Sequence, residues 1–283
     1  MIKEIEQPSN NRDERVVKGF GEEWSRFSQE ELAETERGAI FNDYFANFPW
    51  AELPTDAQGA DIGCGSGRWA AVVAPRVGRL TCVDPSSDAL EVARRNLAEQ
   101  DNVVFHQADI GRLPFTDGEL DFAYSLGVLH HVPDTQSALA NVARVLKSSA
   151  PFLVYLYYAF DNRPIWFRVL WQLSDGLRWL ICRLPSSMRF AVCDAIAALV
   201  YWPLARLAAV LAMLGVHLRN FPLVYYLDKS FYVMRTDALD RFGTRLEKRF
   251  CRTQIAAMLE AAGFGDIRFG TREPFWCAVA RKR

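Results

Sequence analysis

Four groups of residues in this chain have types and spacings that can do chemistry. The first is Ala60-Asp61-Ile62-Gly63-Cys64-Gly65-Ser66-Gly67, where glycines alternate directly after a short apolar run. A glycine-rich turn between a strand and a helix admits a ligand to the backbone with no Cβ in the way. It also aims the first amides of the helix at whatever sits there. The second group is a pair of acids, each closing an apolar run: Asp84-Pro85 after Arg79-Leu80-Thr81-Cys82-Val83, and Asp109-Ile110 after Val103-Val104-Phe105-His106-Gln107-Ala108. The third is the histidine pair in Leu126-Gly127-Val128-Leu129-His130-His131-Val132-Pro133-Asp134, and the fourth is Tyr157-Tyr158 at the end of the apolar run from Pro151.

The glycine turn describes a nucleotide-type pocket, and its details choose among nucleotides. A dinucleotide fingerprint requires Gly-x-Gly-x-x-Gly, its third glycine packing helix on strand. Here Arg68 holds that position, and Asp61 stands where a carboxylate would repel a pyrophosphate. A carboxylate there suits a cationic ligand without phosphate, such as S-adenosylmethionine, and disfavours NAD. Asp84 lies at the distance at which an acid takes two ribose hydroxyls. Its structural alternative is a helix N-cap, which Ser86 or Ser87 can supply instead. Asp109 is placed to accept from an exocyclic amine while Ile110 covers the ring face; the alternative is a solvated loop acid before Arg112. Adjacent residues cannot both face one way, so at most one of His130 and His131 points at a substrate, and His130 is the choice. Tyr157 and Tyr158 either hydrogen-bond an acceptor or pack in the core.

The elements that must position these groups are read from periodicity. From residue 57 strands and helices alternate at short spacing, the pattern of a parallel sheet covered on both faces. Strands fit at roughly 57–63, 79–84, 103–108, 120–126 and 151–158, with helices at roughly 66–76, 86–99 and 134–147. Before them, about residues 1–15 read as a mobile tail, and Phe20, Trp24 and Phe27 share one helical face that either packs on the core or closes over the cofactor. Glu30 to Arg37 reads as an acidic helix, and Phe41 to Trp50 as an aromatic lead into the first strand. Near the end, Leu246 to Ala262 contains a helix capped by Gly263, and Asp266 to Thr271 with Phe275 to Ala280 form an antiparallel pair.

Taken in order, these signals resemble the class I S-adenosylmethionine-dependent methyltransferases over about residues 55–160. The segment Leu-Gly-Val-Leu-His-His-Val-Pro-Asp is similar to that of the subgroup containing the ubiquinone and menaquinone methyltransferases. The resemblance implies a Rossmann-like fold: an α/β, seven-stranded, doubly wound and mostly parallel sheet, to which the sequence adds an N-terminal helical extension and, as a departure from a minimal catalytic domain, a helical insert after the fifth strand. It implies S-adenosylmethionine as cofactor and S-adenosylhomocysteine as product. The turn Gly63, Cys64, Gly65 and Gly67 would pass under the methionine part and ribose, with Asp61 or its water near the amino group. Asp84, with Pro85 beside it, would hold the ribose, Asp109 and Ile110 the adenine, and the Leu126 backbone would face the methionine end. His130 and His131 would line the floor facing the acceptor, His130 being the one chosen to point at it; Tyr158 is the candidate that the strand end itself supplies.

The divisions that follow are 1–50 for the tail and aromatic cover, 51–160 for the cofactor core, 161–236 for the helical insert, and 237–283 for the closing helix and strand pair. Within the insert, helices fit at about 164–182, 187–201 and 203–217, broken at Pro185 and around Pro203. Over about 161–230, eight arginines and lysines stand against four aspartates, in a chain whose overall charge is −1. The uncharged run Ala195 to Ala205 falls short of the roughly twenty residues a membrane span requires, so no transmembrane segment is expected. The insert reads first as a lid over an acceptor pocket, next as a homodimer surface, then as a basic amphipathic contact with a membrane.

The balanced charge makes no case for nucleic acid. Six scattered cysteines and four histidines indicate neither a disulfide framework nor a metal site. The polar start is not a signal peptide, and a cytoplasmic location, with membrane-peripheral contact as the variant, is expected. The expected reaction is methyl transfer to a small or medium apolar molecule at oxygen, nitrogen or carbon. Two rivals remain: a cyclase or lyase using the same cofactor, and a non-catalytic partner that retains the pocket.

Overall fold

The structure, a computed structural model, describes residues 11–283. Seven strands form one sheet in the order β3-β2-β1-β4-β5-β7-β6. These are β1 (Gln58–Ile62), β2 (Arg79–Asp84), β3 (Val103–Gln107), β4 (Phe122–Leu126), β5 (Pro151–Tyr155), β6 (Phe264–Phe269) and β7 (Ala278–Lys282). The first five are parallel, and β7 runs antiparallel to both β5 and β6. The chain returns to the middle of the sheet between β1 and β4. At such a switch point the connections leave in opposite directions and open a crevice at the carboxyl ends of the strands.

Alternation of side chains across the strands divides the interior into two layers. Ala60, Ile62, Ala123, Phe152 and Val154 face α5 (Thr135–Val145) and α10 (Arg252–Ala261). Leu80, Cys82, Phe122, Tyr124 and Leu153 face α2 (Glu34–Phe45), α3 (Ala70–Val73) and α4 (Ser87–Asn96). A third core lies outside the sheet. In it α6 (Ile165–Ile181), α7 (Ser186–Ile196) and α8 (Trp202–Met213) pack on α9 (Phe231–Gly243) and on Phe27, the residue closing α1 (Glu14–Arg26).

Several expectations are corrected. The first ten residues of the expected tail lie outside the described residues. The remainder of it is anchored: Asp13 caps α1 by accepting from Arg15 N and Val16 N, and Asn11 exchanges two hydrogen bonds with the Asp134 backbone. The acidic helix begins later and runs on through the aromatics, so Phe41, Tyr44 and Phe45 lie on α2. The helix after the glycine turn is short, giving way to a 3₁₀ turn at Ala74–Arg76 where Pro75 lacks an amide. The fifth strand stops at Tyr155, leaving Tyr157 and Tyr158 in a segment bridged to Phe250. Finally, Pro203 does not break the insert. A π turn at Ala197–Tyr201 carries α7 into α8, giving one rod, Ser186–Met213, of 28 residues. A wide turn shifts the hydrogen-bond register locally, and Pro203 then sits at the first positions of α8, where an amide is not needed. That rod is long and apolar enough to cross a membrane by length and composition, so the argument from an eleven-residue run does not stand. The division at 236/237 also falls inside α9, which packs with the insert.

Candidate functional site

Two chambers meet at the carboxyl edge of the sheet. The first lies over the switch point and is walled by Gly63, Asp84, Pro85, Asp109, Ile110 and Leu126, with Phe20 and Trp24 of α1 closing it. The second, about 490 Å³, lies under the insert and is rich in aromatic side chains, among them Tyr44, Tyr155, Tyr157, Tyr158 and Trp171. Phe20, Trp24, Leu126 and Gly127 belong to both walls. A group bound in one chamber therefore faces a group bound in the other at that junction.

The glycine turn owes its shape to left-handed backbone at Gly63 (φ +79°) and Gly65 (φ +53°). A Cβ on Gly65 would lie 2.7 Å from the Trp24 indole nitrogen, so the turn must be bare for α1 to close on it. Asp84 ties the turn down. Its Oδ2 accepts from Gly65 N (3.0 Å) and its Oδ1 from Ser86 N (2.9 Å), while Ser86, through its hydroxyl, caps α4. The N-cap alternative for Asp84 is thereby removed. Each of its oxygens keeps a further lone pair for a ligand hydroxyl. Burial pushes its carboxyl up to about 6, against the opposing pull of those two amides. Asp109 is buried, not solvated, and accepts from Gly111 N at 2.7 Å, beside the buried Ile110.

Four of the expected cofactor residues do not reach the wall. Cys64 turns into the core against Cys82, whose proximity together with burial raises its thiol well above the usual range. Gly65 and Gly67 shape the turn from behind. Asp61 lies beneath it, 2 % exposed, beside Tyr124, and its Oδ2 has no hydrogen-bond partner. Burial pushes its carboxyl up to about 8. An orphaned acid oxygen directly under a glycine turn fits a cationic ligand group above it, and in this respect the residues present suit S-adenosylmethionine.

The histidines are exchanged relative to expectation. His130 is fully buried on neither wall, stacked on Tyr157 with ring centroids 3.9 Å apart, and both ring nitrogens lack partners. Burial holds it well below the usual imidazole range, so it stays neutral. His131 is the one that lines the first chamber. Its Nδ1 donates to the Leu246 carbonyl (2.6 Å), and its Nε2 lies 3.9 Å from Asp240 Oδ1. Burial again dominates and brings its pKa down to about 4. Tyr158 lines the second chamber, where burial raises its phenol.

What the residue patterns alone did not reveal is an acidic cluster in that chamber: Glu23 from α1 with Asp237 and Asp240 from α9. Burial, reinforced by the two aspartates, raises Glu23 well above its ordinary value. Asp237 accepts from the Tyr226 hydroxyl (2.8 Å), and Asp240 Oδ2 accepts from Tyr157 while its Oδ1 has no partner. Burial pushes both aspartates up to about 6. The available signal was two acids three residues apart on Phe231–Gly243, a mixed helix that also carries Arg235, Thr236 and Arg241, so that one helical face holds paired carboxylates. Arg249 and Arg241 stand nearby but are held by the buried Glu247, at 2.7 and 2.9 Å. Among the described residues, no cluster of His, Cys, Asp or Glu is placed to hold a metal.

Comparison with known proteins agrees with this geometry. Residues 60–154 match the family described as Methyltransferase domain. The chain is 35% identical over 111 residues to the uncharacterised methyltransferase YcgJ of Bacillus subtilis, covering 38% of this chain and 44% of that protein. It is 36% identical over 137 residues to a demethylmenaquinone methyltransferase of Staphylococcus aureus, covering 42% and 57%. The chain thus spans about half the length of these curated relatives. Among solved structures, the chain bound to the Haloferax volcanii Trm112 methyltransferase activator shares the fold at a TM-score of 0.50 and 14% identity, over 92% of this chain and 96% of that one. The sheet order, the glycine turn at the switch point and the match over residues 60–154 make this part of the chain similar to a methyltransferase domain.

Proposed function

We propose that the protein is an S-adenosylmethionine-dependent methyltransferase whose acceptor is an apolar or aromatic molecule bearing a nucleophilic hydroxyl or amine. The observation that carries this reading is the junction of the two chambers at Phe20, Trp24, Leu126 and Gly127. Asp84 would hold the ribose, Asp109 and Ile110 the adenine, and the Gly63 turn above Asp61 the methionine end. Bound there, S-adenosylmethionine supplies an electrophilic methyl on a sulfonium centre.

The chain's own contribution is alignment, exclusion of water and removal of a proton. Much of the barrier to displacement at such a carbon is orientational, which rigid aromatic walls reduce by holding the acceptor at near-attack distance. Asp240 supplies the base: its Oδ1 is unpartnered, its Oδ2 is held by Tyr157, and a pKa of about 6 lets it be ionised yet basic near neutral pH. His131, neutral and fixed through Nδ1, orients beside it.

Calorimetric titration with S-adenosylmethionine, S-adenosylhomocysteine and NAD tests the cofactor half. The expected result is binding of the first two and none of NAD; binding of NAD alone, or of none, would overturn it. Mass spectrometry of the same solutions separates methyl transfer from a cyclase or lyase, because the latter consume cofactor without an acceptor.

A further inference from the structure

Phe231 apart, every large apolar side chain exposed among the described residues lies between Ile165 and Val216. On α6, Ile165, Trp166, Val169, Leu173, Leu177 and Leu180 face away from α9, and Leu173 is 70% exposed. On the α7–α8 rod, every exposed position from Met188 to Leu214 is apolar, with Leu199 at 76% and Met213 at 78%. Single exposed leucines are ordinary; an outward surface of two helices with almost no polar interruption marks a contact.

Charge identifies what the contact meets. Between residues 162 and 220 the exposed arginines are Arg168, Arg183 and Arg219, and no acid is exposed. The two acids present are both engaged: Asp175 by Arg178 (2.7 Å) and Arg241 (3.3 Å), Asp194 by Arg26 and by Arg235 (3.0 Å). Trp166, Trp179 and Trp202 are each about half exposed, and the Arg183 guanidinium lies 3.9 Å over the Trp179 ring. Apolar faces, interfacial tryptophans and a rim that is cationic between Asp161 and Asp228, the exposed acids at its two ends, are the composition of helices that rest in an anionic membrane surface. An isologous contact with a second copy would instead set that cationic rim against itself.

The rod rests on the surface and does not cross. Its inner face is bonded to the rest of the protein: Arg189 pairs with Glu22 at 2.5 Å, Asp194 with the arginines above, and Arg206 donates to the Lys229 carbonyl at 3.0 Å. Crossing would break these contacts and carry the charges into hydrocarbon. The acceptor chamber, moreover, opens through this face, since Leu170 and Val200 are both chamber wall and exposed surface.

We infer that the insert docks this protein on an anionic lipid surface, α6 and the α7–α8 rod lying in the interface so that the acceptor chamber opens toward the bilayer. The docking stands on the surface alone; the corollary that the acceptor enters from the lipid phase rests on the methyl-transfer reading.

The test is co-sedimentation of the full chain with phosphatidylcholine vesicles, with and without phosphatidylglycerol, at low and high salt. Binding is expected to require phosphatidylglycerol and to weaken with salt. The triple variant Leu173→Glu, Leu199→Glu, Met213→Glu, none of which lines the chamber, should bind about tenfold less or weaker still. Charge reversal at Arg168→Glu, Arg183→Glu, Arg219→Glu, all exposed, gives a second reading if the first variant folds poorly. Circular dichroism and S-adenosylhomocysteine calorimetry on the same samples report folding and the cofactor reading separately. Absence of binding to anionic vesicles, or binding unchanged in both variants, overturns the inference. So does a wild-type dimer in analytical ultracentrifugation that the triple variant converts to monomer while vesicles bind neither.

Discussion

Asp240 and Asp84 are both buried carboxylates pushed up to about 6, yet they differ in what their oxygens are doing. Both oxygens of Asp84 hold backbone amides, so it is part of the frame and would add ligand hydroxyls to bonds already made. Asp240 has one oxygen tethered and one free, the arrangement of a group that can receive a proton without moving. Two measurements separate these roles. Asp240→Asn is expected to lower kcat by about 10²–10⁴-fold, the usual worth of a positioned base, and to flatten the acid limb of the pH profile near 6, with S-adenosylhomocysteine affinity kept. An unchanged kcat would point to an acceptor that needs no proton removed. Asp84→Ala should instead weaken cofactor binding by about 1.5–3 kcal/mol, the cost of losing hydrogen bonds to a charged group. Retention within about twofold would remove it from the ribose.

At the scale of elements, α1 and the glycine turn are one construction. Gly65→Ala places a Cβ at φ +53° and 2.7 Å from the Trp24 indole, so about 1–3 kcal/mol of destabilisation is expected from backbone strain and displaced packing. Thermal melting would show it, with Trp24 fluorescence shifting as α1 lifts. Most of the sheet and the cofactor side could be read in the residues themselves. Parallel strands buried on both faces are continuous apolar runs, and Asp84 and Asp109 stand out because packing gives no reason for an acid there. The elements around the second chamber were hard to read for three physical reasons. α9 carries its acids beside two arginines and a threonine, which reads as an ordinary solvated face, so Asp237 and Asp240 register only once the insert is known to pack over that helix. Pro203 reads as a breaker unless a π turn absorbs it, which depends on tertiary packing. His130 and His131 are adjacent, so the backbone allows only one to face a chamber, and which one depends on a half-turn of loop.

For the whole molecule, the buried acids make stability depend on pH in a definite direction. An acid whose folded pKa is raised binds more protons folded than unfolded, so stability falls as pH rises from its unfolded value through its folded one. For Asp84, Asp237 and Asp240 that window closes near 6, and below 6.5 it is opposed by His131, whose pKa is lowered to about 4. Between roughly pH 6.5 and 8 the contributor is Asp61, pushed up to about 8. The ligand-free protein should therefore lose stability across that range, and Asp61→Asn should remove up to about 2 kcal/mol of the loss. Melting curves at the two ends of the range decide this; an unaltered slope in Asp61→Asn would overturn the assignment to Asp61.

One helix face, finally, serves as a party wall. Phe20 and Trp24 bound both chambers, and α1 is held near its start by the paired bonds between Asn11 and Asp134, at 2.7 and 2.9 Å. Displacing that wall opens both rooms together, so neither occupant is exchanged without disturbing the seat of the other. On the methyl-transfer reading proposed above, the departures of donor and product would be coupled through the clasp on α1.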